Sequence, residues 1–225
     1  MDLSNIFDKF SDYTMVPRET YIRNLELISD ENVPDGAIVE CGVWKGGMIA
    51  GIANLFGNDR SYYLFDSFEG LPPAKDIDGA GALSFQADPP SEANMFNLAA
   101  DQTFAESAMS IALDGDFSSV SIVKGWFKDS IAETVIDKPI AVLRLDADWY
   151  DSTLICLDLL FPKMANNGIL IIDDYIVLDG CSRAVHDYLS KNRRPEKIRQ
   201  FNNDVIYIQK SEPFWRIEDF FANEA

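Results

Sequence analysis

Two short apolar runs each end abruptly in paired carboxylates: Leu143-Arg144-Leu145-Asp146-Ala147-Asp148 and Ile171-Ile172-Asp173-Asp174-Tyr175. A helical pattern over residues 151 to 161 separates them. A continuous apolar run is the mark of a buried parallel strand, and open α/β sheets bind ligands at the carboxyl ends of such strands. If the two runs are neighbouring strands, four aspartates converge on one sheet edge. Two carboxylates about 5 Å apart repel by roughly 3 kcal/mol at an effective dielectric near 20. Four gathered together call for a cation, shared protons or much water, and the sequence points to a divalent cation.

The elements that must position these acids begin upstream. Pro34-Asp35-Gly36 is a turn, and Ala37 to Val43 reads as a first buried strand. It runs into Trp44-Lys45-Gly46-Gly47 and a helix from Met48 to about Phe56. Strand, glycine loop and helix bring backbone amides close to a nucleotide-like ligand. The spacing Glu40-x-Gly42-x-x-x-Gly46-Gly47 is neither the dinucleotide fingerprint nor a Walker loop. Ser61 to Asp66 forms a second strand whose terminal acid lies 24 residues after Gly42. That is near the offset of roughly 20 at which an acidic side chain meets ribose hydroxyls. A helix cap is the plainer alternative for Asp66.

Val120 to Val123 is a third strand, followed by Gly125-Trp126-Phe127-Lys128-Asp129. Trp126 and Phe127 either stack on an adenine or enter the core. Asp114-Gly115-Asp116 is read as a turn without a role. Gly180 to Lys191 is a helix carrying the only histidine, His186, as a structural or exposed residue. Lys197 to Phe201 and Val205 to Gln209 flank Asn202-Asn203 as an antiparallel hairpin. The alternation from Ala37 to Lys191 predicts a Rossmann-like, doubly wound α/β fold, mostly parallel, with a C-terminal antiparallel hairpin. Residues 1 to 33 form a helical segment that either packs plainly or acts as a flap. The core spans 34 to 211, with a variable insertion at about 75 to 113, and 212 to 225 is a tail. Residues 75 to 90 show no sustained period and read as a long loop of the kind that forms lids, and a helix runs from about Glu92 to Leu113.

A chain of 225 residues suits one domain. Its net charge of −18 argues against binding a phosphate backbone, and so against nucleic acid. Three scattered cysteines, Cys41, Cys156 and Cys181, have no zinc spacing and no disulfide pattern, which fits a reducing cytosol. No signal peptide is visible, and no apolar stretch approaches a membrane span.

Five segments together resemble a known family: VECGVWKGG from Val39, FDSFEGLP from Phe65, GWFKDS from Gly125, LRLDAD from Leu143 and IDDY from Ile172. In order and spacing they are similar to the macrocin O-methyltransferase family, across roughly residues 14 to 210. The resemblance implies a class I methyltransferase fold that uses S-adenosylmethionine and Mg²⁺ to methylate a sugar hydroxyl on a natural product or glycan. It places Asp146, Asp173 and Asp174 on the metal and Asp148 as the general base. It places Glu40, Gly42 and Asp66 at the cofactor, and Ser67 and Trp126, inside the same motifs, join them as cofactor-binding candidates. A homodimer is a further expectation from the resemblance. The chain departs from the pattern at residues 76 to 113, which face the acceptor, and at Ala147 and Trp149, where relatives carry Gly and Ser.

The residues suit that chemistry. A hydroxyl is a poor nucleophile until its proton is drawn off, and a metal bound to its oxygen stabilises developing alkoxide. Adjacent strand residues face opposite ways, so Asp173 and Asp174 can share one ion only if the strand ends there, whereas Asp146 and Asp148 can share a face. Three competing readings stand beside the methyltransferase. Asp146-x-Asp148 is compatible with a metal-dependent glycosyltransferase, the overall pattern with a Rossmann dehydrogenase, and an inactive relative would bind ligand without turnover. The glycine loop and Asp66 favour the adenosyl cofactor.

Overall fold

The computed structural model describes residues 2–30, 33–87 and 98–211. The described residues form a seven-stranded sheet in the order β3-β2-β1-β4-β5-β7-β6. The strands are β1 (Ala37–Cys41), β2 (Tyr62–Asp66), β3 (Val120–Lys124), β4 (Ile140–Leu145), β5 (Met164–Ile172), β6 (Ile198–Phe201) and β7 (Val205–Gln209). The first five run parallel; β7 lies antiparallel to β5 and β6 antiparallel to β7. The expected hairpin is therefore present. Asn202 and Asn203 take φ of 49° and 66°, the left-handed pair that a tight turn with the strands' own twist requires.

The sheet is covered on both faces, which is why its central strands are apolar throughout. On one face lie α1 (Leu3–Phe10), α2 (Arg18–Asp30), α3 (Gly47–Phe56) and α5 (Gln102–Ala112). They bury Phe10, Tyr21, Leu25, Ile49 and Met109 against Ile38, Val142 and Ile171. On the other face, α6 (Phe127–Glu133), α7 (Tyr150–Leu160) and α8 (Asp179–Lys191) pack Ile131, Leu157 and Val185 on Val39, Leu143 and Ile172. The strand period of two thus decides which face each functional side chain enters. Glu40 follows Ile38 and Val142 onto the α1–α3 face, as does Arg144.

The segment before β1 is integral to the core. The Tyr21 hydroxyl donates to the Gly47 carbonyl at 2.9 Å, and the space beside Gly51 is filled by that phenol. What this segment gives to the cleft is Tyr13–Pro17, between α1 and α2.

Of the stretch read as a long loop at 75 to 90, residues 75–87 are different in the structure, and 88–90 lie outside the described residues. A 3₁₀ turn at Asp76–Asp78 leads into α4 (Gly79–Ala87). The absence of an apolar period is physical: α4 buries only Ala82. Tertiary bonds hold this stretch, since the buried Asp78 carboxylate accepts from the Tyr150 N–H at 2.7 Å and so caps α7 from outside it. The helix expected from about Glu92 is α5, beginning at Gln102; residues 92–97 lie outside the described residues. No helix among the described residues is long and apolar enough to cross a membrane.

Candidate active site

The ends of β1, β2, β4 and β5 open into one cleft. After β1 the chain turns at Gly42, whose φ is +83°. A Cβ there would lie 1.7 Å from the Asp146 carbonyl oxygen, so only glycine lets the loop pass the end of β4. Asp66, closing β2, holds this loop in shape. One of its oxygens accepts from the Val43 and Trp44 N–H groups at 2.7 and 2.8 Å, and the other from Phe68 N–H at 2.7 Å. Burial pushes the Asp66 carboxyl up against the pull of these three bonds. A carboxylate offers about four acceptor positions, so one is left for a ligand hydroxyl. Ser67 beside it is tied to its own turn, donating to the Gly70 carbonyl at 3.0 Å and accepting from Glu69 N–H at 3.1 Å.

Glu40 is buried beneath the same loop. It accepts from the Ile49 N–H in the first turn of α3 at 3.2 Å and from Arg144 Nη1 at 2.6 Å. Burial raises its carboxyl to about 7, with Arg144 opposing. The helix N-terminus favours its negative charge.

The four aspartates separate by strand parity. Arg144 and Ile171 are register partners on β4 and β5. Two residues on, Asp146 and Asp173 continue on the Arg144 face. Asp146 Oδ2 lies 2.9 Å from Nη1 and Asp173 Oδ1 lies 2.5 Å from Nη2. β5 ends at Ile172, and Asp173–Tyr175 form a 3₁₀ turn, the strand ending that sharing one ion would require. Asp174 therefore turns the other way, accepting from Asp148 N–H at 3.0 Å. Asp148 has a φ of +56°, an uncommon backbone state for a residue with a side chain and one often found at functional sites.

As a result, carboxylate oxygens of Asp146, Asp148 and Asp174 lie within 4.8 Å of one another. The set expected on the metal was Asp146, Asp173 and Asp174; the two sets share Asp146 and Asp174. Burial first, and repulsion from a neighbouring carboxylate second (Asp173 for Asp146, Asp146 for Asp148, Asp148 for Asp174), raise Asp146 to about 6 and push Asp148 and Asp174 well above the carboxylate range. A hard dication suits such a group, because it takes oxygen ligands and supplies the missing charge.

The cleft has two lobes, of about 430 and 210 Å³, that share Gly42, Trp44, Asp146 and Asp148. The larger is walled by Asp66, Ser67, Leu71, Trp126 and Trp149. Of the two aromatics left undecided by the sequence, Trp126 is 43% exposed and lines this lobe, while Phe127 packs on the core as well as lining it. The smaller lobe is walled by Thr14, Met15, Glu40, Arg144 and Asp173. Sequence reasoning missed two participants. One is Trp149, whose Nε1 donates to the Pro72 carbonyl at 2.9 Å and pins the wall of the larger lobe. The other is Arg144, which did carry a signal: a lone cation inside an apolar strand needs buried anions. His186 is exposed on α8, 2.9 Å from the Tyr175 hydroxyl.

Residues 10–210 match the macrocin-O-methyltransferase (TylF) family. The chain is 31% identical over 191 residues to demethyldecarbamoylnovobiocin O-methyltransferase of Streptomyces niveus, covering 83% of this chain and 70% of that one. It is 32% identical over 200 residues to 8-demethyl-8-(2,3-dimethoxy-alpha-L-rhamnosyl)-tetracenomycin-C 4'-O-methyltransferase of Streptomyces olivaceus, covering 85% and 69%. Among solved structures, the O-methyltransferase NovP superposes with a TM-score of 0.69 at 29% identity, over 89% of this chain and 83% of that one. This chain belongs to the macrocin-O-methyltransferase family and is an enzyme that transfers methyl groups.

Proposed function

We propose that the enzyme moves the methyl group of S-adenosylmethionine to a hydroxyl of a sugar carried by a natural product or glycan, with Mg²⁺ assistance, in the cytosol. The observation that carries this is the convergence of the half-buried Asp146 and Asp148 with the buried Asp174 beside a glycine loop that a strand-end acid, Asp66, holds open. The names of the relatives support a sugar-bearing acceptor, since one acts on a dimethoxy-rhamnosyl compound.

In this reading Asp66 receives a ribose hydroxyl on its remaining acceptor position, Trp126 stacks against the adenine, and Gly42 lets the cofactor approach the strand ends. Ser67 holds the turn that follows, and Glu40 fixes the floor of the loop. Asp146, Asp173 and Asp174 would hold the ion and Asp148 would take the hydroxyl proton. When bound, the metal polarises the acceptor oxygen and lowers its proton affinity. Both aspartates in question reach the cleft, so the roles of Asp148 and Asp173 are separable by substitution.

Titration calorimetry with S-adenosylhomocysteine and with Mg²⁺ tests the assignment. Binding of S-adenosylhomocysteine in the micromolar range is expected, and its absence with a clear response to a nucleotide sugar would replace the reading with a glycosyltransferase. Asp173→Asn is expected to weaken Mg²⁺ binding, and Asp148→Asn to lower turnover with metal affinity largely kept. The reverse pattern would exchange their roles.

A further inference from the structure

Arg144 is 1% exposed, and no step of the proposed transfer uses it. Its guanidinium is nevertheless the meeting point of three elements. Nη1 lies 2.6 Å from Glu40 on β1 and 2.9 Å from Asp146 after β4, and Nη2 lies 2.5 Å from Asp173 after β5. Glu40 carries the connection onward to the Ile49 N–H of α3, the helix that the glycine loop opens. Arg144 Nε and Nη2 have no hydrogen-bond partner among the described residues although both are buried. Asp173 therefore meets Nη2 as an ion pair, while Glu40 and Asp146 hydrogen-bond to Nη1, and the side chain walls the smaller lobe.

A single buried positive charge could be kept for neutralisation alone. The contacts ask for more than charge. Three carboxylates approach one side chain from three strands, and two of them share a single nitrogen. A planar guanidinium fixes such directions, whereas an ammonium is a compact point charge on a flexible stem.

We propose that Arg144 is the positioning residue of this site: it sets Glu40, Asp146 and Asp173 relative to one another and so ties the cofactor loop to the acidic end of the cleft. The proposal rests on the methyltransferase reading, because S-adenosylhomocysteine and Mg²⁺ are its probes.

The test compares Arg144→Lys with the wild type, each titrated separately with S-adenosylhomocysteine and with Mg²⁺ well below its melting temperature. Lysine keeps the charge and loses the fork. The expected result is a loss of about 10- to 100-fold in both affinities, the range seen when a residue that orients ligands is removed. Wild-type affinities in a folded Arg144→Lys protein would overturn the proposal in favour of charge alone. Loss for one probe only would overturn the tie between the two regions. A wild-type protein blind to S-adenosylhomocysteine would refute the methyltransferase reading instead, and a second measurement then judges Arg144. In the ¹⁵N-arginine-labelled wild type, one guanidinium should show hindered rotation and slow proton exchange, and should shift on adding Mg²⁺. Free rotation of every guanidinium would sink the proposal, and this measurement needs no variant to fold.

Discussion

Asp148→Asn separates stability from function most cleanly. The position has a φ of +56°, which asparagine tolerates better than most residues, and the one hydrogen bond shown at Asp148 uses its backbone N–H. The substitution therefore removes charge with little change of shape. Oxygens of Asp146 and Asp174 lie within 4.8 Å of an Asp148 oxygen. At an effective dielectric near 20, each ionised pair at that distance repels by about 3.5 kcal/mol. The carboxyls escape part of this by keeping protons, so about 1 to 3 kcal/mol is the expected relief in metal-free protein near pH 8. For a chain of this size that corresponds to a rise in Tm of about 2 to 12 °C.

The sign with pH follows from the raised carboxyls. A carboxyl raised in the folded state favours folding below its unfolded value and loses that benefit as pH climbs to the folded value. Asp146 moves from 3.8 to about 6, and Asp148 and Asp174 move up further. Metal-free wild type should therefore lose stability as pH rises from about 4 past 6, and the advantage of Asp148→Asn should grow over the same window. Thermal melts in chelator at pH 5 and pH 8, repeated with saturating Mg²⁺, read this out. Mg²⁺ should raise both melting temperatures by similar amounts and leave the gap in place, because Asp148→Asn is expected to keep most of its metal affinity. An Asp148→Asn protein that melts below wild type in chelator at pH 8 would show that the carboxylate is favourable in the empty cluster, and the electrostatic argument would fail.

Gly42→Ala combines a strained φ with a Cβ placed 1.7 Å from the Asp146 carbonyl oxygen. It should destabilise by more than about 3 kcal/mol or prevent folding, and a denaturant midpoint close to wild type would contradict the close approach of the two strand ends. Trp149→Phe keeps the aromatic packing and loses the bond to the Pro72 carbonyl. A loss of about 1 kcal/mol in stability is expected, with weaker S-adenosylhomocysteine binding in the larger lobe. Asp66→Asn replaces one acceptor oxygen with a donor facing backbone N–H groups. Depending on the amide's orientation, it opposes either the Val43 and Trp44 pair or Phe68. Calorimetry should show S-adenosylhomocysteine affinity falling at least tenfold, or about 1.4 kcal/mol.

The sheet was legible because its strands are buried on both faces and so read as unbroken apolar runs with abrupt polar ends. The paired aspartates marked those ends well enough to locate the cleft. What the chain did not reveal depends on contacts between distant residues. Residues 76 to 87 lack an apolar period because α4 buries only Ala82; bonds such as that from the Tyr150 N–H to the Asp78 carboxylate fix the stretch, and no local pattern encodes them. The conformation of Asp148 is equally invisible, since a φ of +56° at an aspartate is imposed by its surroundings.

Arg144 shows how the two kinds of information meet. Strand parity is local, and it sends Glu40, Arg144, Asp146 and Asp173 to one face once β1, β4 and β5 are aligned. The alignment itself is not local: it depends on Glu40 standing opposite Arg144 and Arg144 opposite Ile171. A slip of one residue in β5 would exchange the faces of Asp173 and Asp174, giving Arg144 a different acid. Burying a cation with fewer partners would cost several kcal/mol. The ion pair at the sheet edge therefore helps specify the register that builds the site, so the residues that gather the acids also select the fold that gathers them.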